Sequence, residues 1–122
     1  MATVLVIDDM QEAREIVREM LERGGHGVIE AANGREAQKV MKHAFADVIV
    51  TDILMPEMEG LETIRYFRKS FPGLPIVAMT GSINGPFLEV AQNFGAVSGL
   101  YKPFKQAELL DAVEKALGKN PK

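Results

Sequence analysis

The apolar positions of the chain follow two alternating patterns. Short runs rich in Val, Ile and Leu predict β-strands, and the segments between them carry apolar residues at helical spacing. The predicted strands cover residues 3–7, 28–31, 47–51, 75–79 and 97–101, and the predicted helices cover residues 11–23, 34–44, 61–71, 86–94 and 106–117. Such alternation is typical of repeated βα units.

Three of the predicted strands are almost unbroken runs of Val, Ile and Leu. Such runs indicate strands buried on both faces, as in a parallel sheet covered by helices. Right-handed crossovers then give an α/β fold with a doubly wound sheet of five parallel strands and helices on both faces. We expect a single domain over residues 1–122, with residues 119–122 as a frayed tail, because no repeat or linker divides the chain.

Helix signals flank these segments. Gly24 and Gly25 follow the first helix and supply its left-handed end, Asn33 caps the second, and Pro86 lies in the first turn of the fourth. In the first helix we expect one apolar stripe to be buried, formed by Ala13, Ile16, Val17, Met20 and Leu21.

The composition narrows the possible roles. Apolar residues make up 47% of the chain and charged residues 25%, which is typical of a globular domain. The net charge is −3 and the 14 Lys and Arg are scattered, which argues against direct binding to nucleic acid. No cysteine is present and no apolar run is long enough for a membrane span, so we predict a cytoplasmic location without membrane contact.

Polar side chains follow the predicted strands at one end. Asp8 and Asp9 follow the first strand, Asp52 the third, Thr80 the fourth and Lys102 the fifth. Because ligands of open α/β sheets bind beyond the carboxyl ends of the strands, these residues form the candidate site.

Three converging carboxylates repel one another unless a cation compensates their charge. Mg²⁺ is the expected cofactor, since it prefers hard oxygen ligands and no Cys or His lies nearby. Lys102 and Thr80 supply a positive charge and a hydroxyl donor that suit a phosphoryl group. An ionised Asp beside Mg²⁺ can therefore attack a phosphoryl group and form an acyl phosphate.

Four motifs resemble the signatures of response-regulator receiver domains. They are VLVIDD at residues 4–9, VTDILMPEMEG at 50–60, PIVAMTG at 75–81 and YKPF at 101–104. The resemblance covers essentially the whole chain, and it implies the flavodoxin-like strand order 2-1-3-4-5. It also implies a phosphorylation switch of a two-component system rather than a turnover enzyme.

The resemblance assigns the metal site and the phosphoacceptor. Asp52 would accept the phosphoryl group from the phosphohistidine of a histidine kinase or from a small phosphodonor. Asp9, Asp52 and the backbone carbonyl of Leu54 would ligate Mg²⁺ directly, and Asp8 would act through metal-bound water. Lys102 would pair with a phosphoryl oxygen.

The resemblance also implies how the switch works. Thr80 would move toward the phosphoryl group, Gly81 would leave room for it, and the bond from Lys102 to Pro103 would be cis. The implied partners are a sensor histidine kinase or histidine phosphotransfer protein and a downstream protein or covalently linked output domain. A phosphorylation-dependent homodimer is a further hypothesis. The chain ends a few residues after its last predicted helix, so we expect no output domain within it. Whether it is a stand-alone regulator or one excised domain stays open.

Two features depart from the family pattern. Gly99 stands where most relatives have a switch aromatic, and Tyr101 lies on the same face of the strand. We therefore expect signalling to depend on backbone shifts over residues 80–85. Leu54 and Ser82 flank the path of the hydrolytic water in this family, and Leu54 cannot orient water, which predicts slow self-dephosphorylation.

Other side chains are assigned structural roles. His26 and His43 lack a partner at metal-ligand spacing and are expected in solvated loop and surface positions. Met55 and Met58 could line the rim of the site. Three apolar residues of the fourth helix could be core or could form a partner surface, namely Phe87, Leu88 and Phe94.

Two other functions are compatible with parts of the pattern. A haloacid-dehalogenase-like phosphatase would need a second acid two residues after the nucleophile, where Leu54 stands. A phosphorylation-independent interaction module, a pseudo-receiver, would usually lack some of the acidic residues, and none is missing here.

Overall fold

The structure is a computed structural model that describes residues 2–55, 60–81 and 85–118. Strands and helices alternate as predicted. The strands are β1 (Thr3–Ile7), β2 (Gly27–Ala31), β3 (Val48–Asp52), β4 (Ile76–Thr80) and β5 (Ser98–Tyr101). The helices are α1 (Gln11–Arg23), α2 (Gly34–Val40), α3 (Gly60–Ser70), α4 (Phe87–Phe94) and α5 (Gln106–Ala116). The predicted frayed tail lies outside the described residues.

The five strands form one sheet in the order β2-β1-β3-β4-β5, and every neighbouring pair is parallel. The predicted doubly wound α/β fold and its strand order are confirmed. Their carboxyl ends therefore meet at a single edge, where the candidate site was expected.

The two faces of the sheet carry separate apolar cores. Val4 and Val6 of β1 lie in a core shared with α1 and α5, whereas Leu5 and Ile7 lie in a core shared with α2, α3 and α4. This division follows from the two-residue period of a strand, which directs successive side chains to opposite faces. Helices cover both faces, as predicted.

Several boundaries differ from the prediction by a few residues. β3 and β4 each extend one residue further, so Asp52 and Thr80 end their strands rather than follow them, because both remain paired in the sheet. α2 ends at Val40 instead of residue 44, since the amides of Lys42 and His43 bond to carbonyls three residues earlier in a tighter turn. Pro86 is the N-cap of α4 and precedes its first turn.

The predicted helix signals at two other positions are confirmed. The Asn33 side chain accepts a hydrogen bond from the Glu36 amide at 2.9 Å. After α1, Gly25 takes the left-handed conformation with φ of 90°, whereas Gly24 does not. No helix among the described residues has the length and apolar content that crossing a membrane requires.

Two predictions about burial are wrong. Ile16 is 56% exposed, because α1 buries the row of Val17 and Leu21 and leaves Ile16 beside the β5–α5 loop. His26 is only 6% exposed, since the turn after α1 folds back under the start of β1. There the Ala2 amide donates a hydrogen bond to His26 Nδ1 at 3.2 Å. His43 is exposed, as expected.

Candidate functional site

The polar residues at the strand ends converge, as the parallel sheet requires. Asp8 and Asp9 follow β1, Asp52 ends β3, Thr80 ends β4 and Lys102 follows β5. Each of the three aspartates offers a carboxylate oxygen, and these oxygens lie within 4.8 Å of one another. The predicted acidic cluster is therefore present in the fold.

The acidic cluster fits Mg²⁺ by its donor set. All three side chains are carboxylates, and the cluster contains neither His nor Cys, so hard oxygen ligands predominate. Asp8 is fully buried and Asp52 is 7% exposed, whereas Asp9 faces solvent. A cation at this place would have both buried charge to neutralise and open space for retained water.

Lys102 connects two of the aspartates. Its Nζ lies 2.8 Å from Asp8 Oδ2 and 3.4 Å from Asp52 Oδ2. Burial opposes the charge on Lys102, but the hydrogen bond to Asp8 and the charges of both aspartates outweigh it and raise the pKa of Lys102. The ammonium group is thereby kept charged beside the site.

Burial raises the pKa of Asp52. The positive charge of Lys102 opposes this shift, the negative charge of Asp8 adds to it, and a hydrogen bond from the Leu54 backbone lowers the pKa slightly. A cation beside Asp52 would therefore favour the ionised form of its carboxyl group.

The rim of the site differs in part from the prediction. Leu54 is 48% exposed, two residues after Asp52. Met55 is a correction, because it is only 5% exposed and packs in the core below α3. Thr80 is buried and Gly81 is exposed. Ser82 and Met58 lie outside the described residues.

A side chain of another element occupies the space beside Gly99. Gly99 pairs with Ala78 in the sheet, and a Cβ atom added to it would lie 2.9 Å from Leu88 Cδ2 of α4. Tyr101 is 46% exposed at the end of β5. Leu88, like Phe87 and Phe94, is half-buried and packs against the core, so these three side chains act mainly as core.

The peptide bond between Lys102 and Pro103 is cis, as the resemblance implied. Pro103 itself is exposed.

Two residues of the site were not identified from the sequence. A Cβ atom at Gly60 would overlap the backbone of Asp52 and Ile53, and the Gly60 amide donates to the Ile53 carbonyl at 2.8 Å. The signal was its place at the end of the motif around Asp52. Arg14 donates to the Asp8 carbonyl at 2.7 Å, and its place on a charged helix face gave no signal.

The family model described as the response regulator receiver domain matches residues 4–114. Among curated relatives, the chemotaxis protein CheY of Thermotoga maritima is 31% identical over 113 residues, which cover 92% of this chain and 94% of that protein. The DNA-binding transcriptional regulator NtrC of Azospirillum brasilense is 34% identical over 98% of this chain but only 25% of its own length.

The solved structures agree. Chemotaxis protein CheY4 of Vibrio cholerae has a TM-score of 0.87 and 35% identity, with 96% of this chain and 99% of that chain covered. The receiver domain of NtrX from Brucella abortus has a TM-score of 0.90 and 28% identity, with the same coverage. The chain spans between a quarter and about half of the length of the first three curated relatives. The match over residues 4–114 and the site at the strand ends together show that the chain belongs to the response regulator receiver domain family.

Proposed function

We propose that Asp52 is the phosphoacceptor of this receiver domain and that Mg²⁺ is its cofactor. The observation that carries the proposal is the contact of Lys102 Nζ with both Asp8 and Asp52 at the edge where three carboxylates converge. Receiver domains are phosphorylation-switch regulators rather than classical enzymes. In this proposal the carboxylate cluster supports reversible phosphorylation of the chain itself, at Asp52.

In this proposal Asp9, Asp52 and the backbone carbonyl of Leu54 would hold Mg²⁺ directly, and Asp8 would act through water. When bound, Mg²⁺ neutralises charge on the carboxylates and on the phosphoryl oxygens. Asp8 also keeps Lys102 in place by accepting its hydrogen bond. Direct metal binding and the positioning of Lys102 are thus assigned to different acidic groups of the site.

The transfer itself requires little from the protein besides position and charge. An oxygen of the ionised Asp52 forms a bond to phosphorus while the bond from phosphorus to the histidine nitrogen breaks, and the electron pair stays on that nitrogen. Lys102 pairs with a phosphoryl oxygen, and the Thr80 hydroxyl donates to another. The domain thus assists its own phosphorylation, and water later hydrolyses the acyl phosphate.

The new contact to Thr80 would favour one of two arrangements of α4 and the loop before it. Because Leu88 occupies the space beside Gly99, the backbone of residues 80–85 rather than an aromatic rotamer would carry the change. Amide NMR spectra with and without beryllofluoride and Mg²⁺ test this. Identical spectra for the loop would contradict it.

The proposed partners follow from the kinds of protein that the chain resembles. One similar protein is the CAI-1 autoinducer sensor kinase/phosphatase CqsS of Vibrio cholerae, and others are regulators of transcription. We propose a sensor histidine kinase or a histidine phosphotransfer protein as donor and a downstream protein or linked output domain as target. A single domain over residues 1–122, the homodimer and the cytoplasmic location stay predictions.

Intact mass spectrometry after incubation with a small phosphodonor tests the proposal. We expect one added phosphoryl group in the wild type with Mg²⁺, none after chelation of the metal, and none in Asp52→Asn. The variant Asp111→Asn is a matched control, because it removes an exposed carboxylate remote from the site. Phosphorylation of Asp52→Asn at the wild-type rate, or a wild type that stays unmodified, would contradict the proposal.

A further inference from the structure

The Arg14 side chain joins three elements of the fold through one guanidinium group. Its Nη1 donates to the backbone carbonyl of Asp8 at 2.7 Å, and its Nε donates to Glu30 Oε1 at 2.9 Å. Arg14 lies on α1, Asp8 follows β1 and Glu30 belongs to β2. The side chain of Arg14 is only 15% exposed, so these bonds are shielded from water more than those of an ordinary surface arginine.

Glu30 orients the guanidinium group of Arg14 by accepting its hydrogen bond. The hydrogen bond from Arg14 lowers the pKa of Glu30, burial opposes this shift, and Arg18 adds to the lowering. Arg18 Nη1 binds the second carboxylate oxygen of Glu30 at 2.7 Å. Glu30 is therefore an ionised acceptor held on both oxygens, which leaves Arg14 little freedom to turn away from Asp8.

The Asp8 carbonyl belongs to the peptide that leads to Asp9. Because a peptide unit is planar, a bond that holds its carbonyl also sets the direction in which the next residue leaves. The other polar groups of Asp8 are already held, since its amide donates to Ala31 and its carboxylate accepts from Met10 and Lys102. Among the described residues, no donor reaches the Asp9 carboxylate. Within this described part of the chain, the backbone is what sets the direction in which the Asp9 side chain leaves.

We infer that Arg14 is a positioning residue, which holds the Asp8–Asp9 peptide so that both carboxylates face the metal site. The inference rests on the proposed Mg²⁺ site. Arg14 touches neither the metal ligands' carboxylates nor the phosphoryl position, and it acts through the backbone.

The chain offers a matched control for this role. Arg14→Gln and Arg18→Gln each remove one positive charge and one arginine partner of Glu30, but only Arg14→Gln removes the bond to Asp8. Loss of a nearby positive charge alone should strengthen binding of a cation. Weaker binding in Arg14→Gln therefore reports lost geometry and not altered charge.

Calorimetric titration of the metal-free proteins with Mg²⁺ measures the effect. We expect Arg14→Gln to bind Mg²⁺ about tenfold more weakly, as is typical when a partner that orients metal ligands is lost. Arg18→Gln keeps the bonds of Arg14 to Asp8 and Glu30, so it should lose far less affinity than Arg14→Gln. Arg14→Lys, whose single nitrogen serves only one of the two acceptors well, should fall between them.

Hydrogen exchange in the absence of metal provides a second readout. In Arg14→Gln we expect faster exchange of the Met10 amide, which bonds to the Asp8 carboxylate, with unchanged exchange of the central strand amide of Val50. Wild-type exchange and Mg²⁺ affinity in Arg14→Gln would overturn the inference, as would faster exchange throughout β3, which indicates a general loss of stability. A wild type that binds no Mg²⁺ would refute the proposed function instead, and the exchange of Met10 would still decide the role of Arg14.

Discussion

The side chain of Leu88 fills the space in front of Gly99. Its Cδ2 and Cδ1 atoms would lie 2.9 Å and 3.1 Å from a Cβ atom at position 99. A leucine of α4 thus takes the volume that a side chain at position 99 of β5 would need. At this contact between α4 and β5, the large side chain of Leu88 is accommodated because Gly99 has none.

This contact predicts non-additive effects of substitution. Gly99→Ala should lower the free energy of unfolding by about 1 kcal/mol, because Leu88 must shift. In the background of Leu88→Ala the same change should be neutral or stabilising, since the space is then open and Ala suits a strand better than Gly. Urea denaturation of the four proteins forms a double-mutant cycle. Additive effects would show that the two residues do not interact.

Gly60 allows no side chain, because its added Cβ atom would overlap the backbone of Asp52 and Ile53. Backbone cannot move aside as a side-chain end can, so Gly60→Ala should cost about 3 kcal/mol of stability and displace Asp52. We expect a lower Tm and slower phosphorylation. Gly73→Ala is the control, because nothing lies within 4 Å of a Cβ atom there. Equal stability of the two variants would contradict the prediction.

The raised pKa of Asp52 predicts how stability depends on pH. Folding raises the pKa of this carboxyl group. Below its unfolded pKa of about 3.9 the group is neutral in both states, and its burial carries no charge. As the pH rises through the folded pKa, the group ionises in the folded protein and lowers the free energy of unfolding. In metal-free protein, Asp52→Asn should therefore increase the free energy of unfolding at pH 7, and the increase should vanish near pH 3.

Urea denaturation of the wild type and Asp52→Asn across this pH range, with a chelator present, measures the difference. Asp111→Asn, at an exposed ion pair with Lys115, should change stability little at any pH. An increase in the stability of Asp52→Asn that is the same at pH 3 and pH 7 would show that ionisation of Asp52 is not its cause.

Leu54 is exposed beside Asp52 but has no group that can orient water. Leu54→Asn should speed loss of the phosphoryl group roughly tenfold, since one hydrogen bond that favours the transition state is worth about 1.4 kcal/mol. Leu54→Met retains an apolar side chain and should behave as the wild type. The decay of phosphorylated protein after removal of the donor gives the rates, and an unchanged rate in Leu54→Asn would count against the prediction.

The sequence by itself determined the fold class and the membership of the acidic cluster. Runs of Val, Ile and Leu predict buried parallel strands wherever they lie in the chain, and parallel strands must end at a common edge. The sequence therefore predicts that four residues lie close together, namely Asp8, Asp9, Asp52 and Lys102. Helix ends were less certain, as the early end of α2 shows, because capping competes with turns of similar energy.

Only the tertiary structure decided which side chains meet between elements. Four features depend on how different elements pack together. They are the burial of His26, the exposure of Ile16, the place of Leu88 beside Gly99 and the bond from Arg14 to Asp8. Periodicity gives the face of a helix or strand but not its rotation and distance relative to its neighbours. The packing of the two cores sets this rotation and distance. The sequence therefore predicts the chemical groups of the site, but not the contacts between elements that hold them in place.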